Sequence, residues 1–245
     1  MNEKKEEKVL PHEDSPVEVP FSDTDTDAEP LLEQEALPAI DVILASGSPR
    51  RSQLLSDAGI AFSVRTSEVD ESLEPDLAAQ PEEAVKKLAE RKAGAIVQQL
   101  IDEVSTQAYR GFAAVIGADT MVVLDGVIFG KPRSLSEATG MLRKLSGATH
   151  EVMTGVSVWY VGAPTVEDVT CGFRTFVEKT HVTFNQLTDA QIADYLACGE
   201  SFDKAGAYAI QGEGGKLISA IQGDFDNVVG LPVTRLLENF PELRS

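Results

Sequence analysis

The spacing of apolar and polar positions lays out most of the elements. Asp41-Val-Ile-Leu-Ala45 is a short apolar run and predicts a buried strand. Ser46-Gly47-Ser48 follows as a tight turn of small residues. Ser48 is a good helix N-cap, Pro49 suits the first helical position, and Gly59 closes a helix carrying Leu54, Leu55 and Ala58 on one side. Residues 62–66 predict a second strand, and residues 68–71 a loop with three carboxylates. Pro81 opens a long helix to about Val104, with Val85, Leu88, Ile96 and Leu100 as its apolar stripe. Lys92 falls on that stripe, where a lysine either snorkels or reaches into a site. Residues 113–117 predict a buried strand ending at Ala118-Asp119-Thr120. Residues 121–124 and 127–129 then form a hairpin about Asp125-Gly126. Ser134-x-x-Glu137 reads as a capping box for a helix to Leu145, stopped at Gly147. Residues 151–161 and 170–185 are two long strands that suit an antiparallel pair. Thr188-x-x-Gln191 caps a further helix ending near Gly199. Residues 217–221 and Val228-Val229 read as short strands, and Pro232 starts a last helix carrying Leu236 and Leu237. Hairpins interleaved with helices predict an α/β fold with a mixed sheet flanked by helices.

Composition divides the chain. Residues 1–39 hold 12 acidic and 3 basic residues, a net of −9, with five of the 12 prolines. They read as a disordered acidic tail of unknown partner, ahead of one domain over 40–245. Asp23-Thr-Asp-Thr-Asp27 imitates a calcium loop, but Ala28 stands where glycine is required and Gln34 where glutamate is. The whole chain carries −19, a poor balance for binding nucleic acid, so an anionic ligand needs a local cationic pocket. Cys171 and Cys198 form no CxxC pair, and neither a long apolar span nor an apolar leader is visible. The expected setting is cytoplasmic, with no membrane partner.

Candidate chemistry starts at the 46–51 turn. A helix N-terminus offers free backbone N–H groups, and two consecutive arginines in its first turn suit a phosphate better than an empty site. Asp119, at the predicted end of a buried strand, is the leading acid, although such a residue also caps turns. Gly126-Val-Ile-Phe-Gly-Lys131 is one residue too short for a P-loop and has Pro132 where a hydroxyl must meet magnesium. His150-Glu151 lacks a zincin's second histidine, and His150 is read as structural.

Five segments in order resemble the Maf family of nucleoside triphosphate pyrophosphatases: Leu44-Ala-Ser-Gly-Ser-Pro-Arg-Arg51, Gly117-Ala-Asp-Thr120, Gly130-Lys-Pro-Arg133, Leu145-Ser-Gly-Ala-Thr-His-Glu-Val-Met-Thr-Gly155 and Asp203-Lys-Ala-Gly-Ala-Tyr-Ala-Ile-Gln-Gly212. The resemblance covers about residues 41–240. It implies a Maf / inosine triphosphatase-like architecture, a homodimer, and hydrolysis of a nucleoside triphosphate to the monophosphate and pyrophosphate. It makes Asp119 the proton acceptor and ties Arg50, Thr120 and Gln211 to substrate choice. Tyr208-Ala-Ile-Gln-Gly212 resembles the branch acting on dTTP and UTP; an amide suits the imide edge of those bases.

The reaction itself asks for cations on the phosphates, for which Arg50, Arg51, Lys92, Lys131 and Lys204 are candidates beside Ser46 and Ser48 of the turn. It also asks for a divalent metal, magnesium or manganese, with Glu71 and Asp119 as candidate ligands. Two other readings stay open: a nucleotide-binding regulator of septum formation without significant turnover, and the same chemistry on another base such as 7-methyl-GTP. Gly223-Asp-Phe-Asp-Asn227 departs from the family pattern, which puts Asp226 at a pocket rim or a dimer contact.

Overall fold

The computed structural model describes residues 39–66 and 68–244. The acidic segment and its calcium-loop lookalike lie outside the described residues. In chain order the domain runs β1 (Ile40–Leu44), α1 (Pro49–Asp57), β2 (Ser63–Val64), α2 (Pro75–Ala78), α3 (Pro81–Ser105), β3 (Gly111–Leu124), β4 (Val127–Phe129) and α4 (Leu135–Leu145). It continues β5 (Thr149–Ala163), β6 (Thr170–Phe184), α5 (Asp189–Ala197), β7 (Ile218–Gln222), α6 (Phe225–Val229) and α7 (Val233–Asn239). Short 3-10 turns at Ala205–Ala207, Gly212–Leu217 and Pro241–Arg244 complete it.

The strands form one mixed sheet in the order β2-β1-β3-β5-β6-β7, with β4 also on β3. β1 runs parallel to β2 and β3, and the other pairs are antiparallel. The flanked mixed sheet is the expected architecture. Alternation along β3 divides the core. Ala113 and Val115 pack with Ile96 and Leu100 of α3, whereas Ala114, Ile116 and Ala118 pack with Leu55 of α1 and Leu236 of α7.

Local signals explain the helix ends. α1 and α3 begin at prolines, where the missing N–H costs nothing. Thr188 and Gln191 form the reciprocal capping box of α5. Asp125 (φ 51°) and Gly126 (φ 77°) both take left-handed backbone in the β3–β4 turn, as a two-residue hairpin requires.

Four expectations are corrected. The strand over 62–66 shrinks to Ser63–Val64. At α4, Ser134 accepts from the Glu137 N–H, but the Glu137 carboxylate accepts from the Arg133 N–H and so closes no reciprocal box. Val228-Val229 is the end of α6, bracketed by Asp224 as N-cap and Gly230 (φ 132°) as stop. Asp119 does not end a strand: β3 runs on unbroken to Leu124. What ends there is β1, whose last link to β3 is the Ala45 N–H donated to the Ile116 carbonyl at 2.8 Å. β4 takes over the same edge only at Val122. β3 therefore has an unpaired edge from Gly117 to Met121, and both of its faces open into that gap.

Candidate active site

The gap between β1 and β4 is the floor of a cavity of about 420 Å³. Asp119 enters it from the α3 side of the sheet, and Thr120 from the α1 side. The cavity gathers the residues named from the sequence for catalysis, phosphate, metal and substrate choice: Ser46, Ser48, Arg50, Arg51, Glu71, Lys92, Asp119, Thr120, Lys131, Lys204 and Gln211. It adds Asp203, a third carboxylate. Five cations against three carboxylates leave a local excess of two positive charges in a chain of −19. The pocket is thus an anion trap within an acidic protein.

The turn is built for this. Ser48 occupies the N-cap position of α1 in extended backbone, but its side chain makes no capping hydrogen bond. The Ser46 hydroxyl instead accepts from the Ser48 N–H at 3.3 Å and from Arg51 Nη1 at 3.1 Å. Arg51 also donates through Nε to the Gly230 carbonyl at 2.8 Å and through Nη2 to Thr120 Oγ1 at 3.1 Å. Burial lowers the Arg51 pKa from its ordinary value, while the charge of Asp119 opposes that shift. Three fixed acceptors hold the guanidinium plane in one orientation, so its arrangement precedes any ligand.

On the other side, α3 delivers Lys92. Its Nζ lies 2.6 Å from Asp119 Oδ1 and 2.7 Å from Glu71 Oε1. Glu71 comes from the loop before α2 and also lies 3.9 Å from Lys131 Nζ. Burial raises the Glu71 pKa, but the Lys92 hydrogen bond and the charges of Lys92, Lys131 and Arg51 outweigh it, holding the carboxyl below its usual range. Asp203 is likewise held low: burial pushes up, and its ion pair with Lys204 pulls down further. Lys92 is therefore no snorkelling lysine; it bridges two carboxylates inside the pocket.

The far wall is the segment from Ala205 to Gln211. Gly206, in left-handed backbone, ties this wall to β4's end through its N–H, donated to the Gly130 carbonyl at 3.1 Å. Tyr208 is buried, and its hydroxyl lies 2.7 Å from His150 Nε2. Phe184 packs edge-on against both rings. Gln211 is exposed at the N-cap of the turn Gly212–Leu217 and lines the cavity.

His150 is 1% exposed, and burial lowers its pKa from 6.5 to about 4. The unfolded chain then binds more protons between those values, so stability falls as pH drops from 6.5 towards 4. The contribution lost is on the order of 3 kcal/mol. His150→Gln keeps a partner for Tyr208 and removes the titration. Urea melts at pH 7 and pH 4.5 are expected to show a smaller acid loss for the variant than for wild type; equal losses would reject the buried neutral imidazole.

Sequence reasoning did not single out Asp203, Gly230 or Asn227. The signal for the last two was the pairing of Asp224 with Gly230, an N-cap and a stop six residues apart, hidden by the β-favouring Val228-Val229 between them. Asp226 sits away from this cavity, in a second one with Leu54, Asp57, Val233 and Leu237. Burial and the charges of Asp224 and Asp57 raise its pKa.

A family model described as Maf-like protein matches residues 41–243. The chain belongs to the Maf-like protein family. A relative from Bacillus anthracis named dTTP/UTP pyrophosphatase is 42% identical over 201 residues, which cover 82% of this chain and 94% of the relative. One of the same name from Geobacillus sp. (strain WCH70) is 44% identical over 202 residues, covering 82% and 97%. A solved nucleoside-triphosphatase / dITP/XTP pyrophosphatase from Mycobacterium abscessus aligns over 82% of this chain and 94% of its own, at 10% identity and a TM-score of 0.37. Each of the five Maf-like segments quoted above contributes lining to the one cavity, through Ala45 to Arg51, Asp119 and Thr120, Lys131, Val152, and Asp203 to Ala205 with Tyr208 to Gln211. No helix among the described residues is long and apolar enough to cross a membrane.

Proposed function

We propose that this Maf-like chain hydrolyses nucleoside triphosphates, dTTP and UTP foremost, to the monophosphate and pyrophosphate. The observation that carries the reading is a carboxylate, Asp119, set 2.6 Å from the Lys92 ammonium in a cavity with four further cations. The names of the relatives support the substrate pair.

In this reading the phosphates lie along residues 46–51, on the backbone N–H groups of the turn and on Arg50, Arg51, Lys131 and Lys204. Asp119, oriented by Lys92, accepts the proton of the water that attacks the α-phosphorus. The new P–O bond forms as the bond to the bridging oxygen breaks, and pyrophosphate leaves with the electron pair among those cations. Gln211 meets the imide edge of the base by donating and accepting at once, with Arg50 and Thr120 of the same cavity as the other residues of substrate choice.

A nucleoside triphosphate carries more negative charge than the pocket's excess of two positive charges balances. Glu71 is a hard oxygen donor on the cavity wall and would hold magnesium or manganese together with the phosphates; Asp119 would join it as a ligand only by giving up the role of proton acceptor. When bound, the metal supplies charge neutralisation on the phosphate oxygens. Homodimer formation enters the proposal from the resemblance; a cytoplasmic setting, with no nucleic acid or membrane partner, enters it from the composition and charge balance of the sequence.

The test is release of pyrophosphate, distinguished from single phosphate, from dTTP, UTP, CTP, GTP and 7-methyl-GTP with magnesium or manganese. Selective release from dTTP and UTP is expected. Release from another base keeps the chemistry and discards the role of Gln211. Folded protein that binds nucleotide but releases nothing rejects the enzyme.

A further inference from the structure

Behind Arg51 lies a line of buried polar groups that the reaction does not use directly. Thr120 Oγ1 is 2.9 Å from Thr154 Oγ1, its neighbour across the β3–β5 register. Thr154 donates to the Asn227 main-chain carbonyl at 3.0 Å. The Asn227 amide donates to the Val152 carbonyl at 3.0 Å and to Thr180 Oγ1 at 2.9 Å, and Thr180 donates to the Asp224 carbonyl at 2.9 Å. Thr154, Thr180 and Asn227 are fully buried.

Proton counting gives this line a direction. A carbonyl only accepts, so the Asn227 carbonyl takes the single proton of Thr154. That carbonyl is left to Thr154 because α6 stops after one turn: the Leu231 N–H that would reach it goes to the Asp226 carbonyl at 3.0 Å. Thr154 must then accept from Thr120, whose only alternative is the Gly230 carbonyl at 3.5 Å. With its proton committed, Thr120 offers a lone pair to Arg51 Nη2. The order is Arg51 to Thr120 to Thr154 to Asn227, each donating to the next. Asn227 in turn clamps α6 across β5 and β6, and α6 ends in Gly230, the acceptor of Arg51 Nε.

We propose that Thr154 and Asn227 are positioning residues for the Arg51 guanidinium, acting through Thr120 and the end of α6. This rests on Arg51 meeting phosphate, as proposed above. It also explains a pattern in the chain. Two threonines face each other in the interior of the sheet, where valines would pack as well without needing partners.

The test compares Thr154→Val and Thr154→Ser. Thr154→Val is expected to lower kcat/KM for dTTP and UTP by one common factor, about tenfold for the loss of a hydrogen bond that orients a charged group. It is expected to weaken binding of pyrophosphate alone by a similar factor. Thr154→Ser restores both to within about twofold, since the hydroxyl and not the methyl is needed. Thr120→Val weakens pyrophosphate binding by the same factor, and adding Thr154→Val to it weakens that binding no further, as two links in one line must. If Thr154→Val fails to fold, the Thr120→Val and Thr154→Ser pair decides. Wild-type kinetics in Thr154→Val, failure of serine to rescue, or altered ratios among the bases would each overturn the proposal. If wild type turns over nothing, the function reading fails, and pyrophosphate binding by the variants still decides this one.

Discussion

Asp119→Asn is expected to reduce pyrophosphate release by about a thousandfold, within the range lost when a positioned general base is removed. Nucleotide binding should change little or tighten. The amide has the carboxylate's shape and cannot accept the proton. Lys92 keeps Glu71 at 2.7 Å, so the lysine stays anchored. Removing one negative charge raises the pocket's positive excess, which favours the phosphates. Single-turnover rates and equilibrium binding, measured on the same preparation, separate the two effects. A variant that retains the wild-type rate removes Asp119 from the chemistry. A rate recovered by raising the metal concentration moves Asp119 from proton acceptor to metal ligand. If wild type itself shows no turnover and both proteins bind nucleotide equally, the regulator reading gains what the enzyme reading loses.

The elements legible in the sequence were those whose ends carry their own chemistry. Pro49 and Pro81 start helices, Asp125-Gly126 turns a hairpin, and Thr188 with Gln191 closes a capping box. The misreadings share a cause. Val228-Val229 has strand composition, but five residues between Asp224 and Gly230 pack as a turn of helix because Asn227 is anchored to β5 and β6. Asp119 looked like a strand end because polarity interrupts the apolar run there. The interruption marks the place where the neighbouring strand stops, which only pairing reveals.

The candidate site was legible as a set of residues because its segments carry unusual local patterns: adjacent arginines at a helix start, an acid inside an apolar run, a lysine on an apolar stripe. Its supports were not. Thr154 resembles any β-forming residue until the register sets it opposite Thr120. Asp203 is one acid among many in an acidic chain until it faces the same cavity as Asp119. The contact between Lys92 and Asp119 depends on how closely a helix approaches a sheet, and that is decided by two glycines.

Gly117→Ala is expected to destabilise the domain by about 3 kcal/mol and to slow turnover of the folded fraction about tenfold, because no room exists for the added methyl. A Cβ at Gly117 would stand 2.4 Å from the Ala89 carbonyl oxygen, 2.7 Å from the Ala93 nitrogen and 2.8 Å from the Ala93 Cβ. These are backbone and near-backbone atoms of α3, so no side chain can swing aside and the helix must lift. Gly155, directly opposite Asp119 across β3 and β5, would place a Cβ 2.5 Å from the Val85 carbonyl oxygen. The two glycines seat α3 on bare sheet backbone either side of Asp119, and that seat brings Lys92 Nζ to 2.6 Å from the carboxylate. Lifting the helix by even an ångström lengthens that contact beyond a strong ion pair. Denaturant melts and kinetics on Gly117→Ala check both effects, with Gly172→Ala as the control, since a Cβ there meets nothing within 4 Å. A Gly117→Ala protein as stable and as fast as wild type would mean that the seat of α3 does not set the distance between Lys92 and Asp119. A destabilised protein whose folded fraction retains full activity would separate the fold's need for the glycine from the site's.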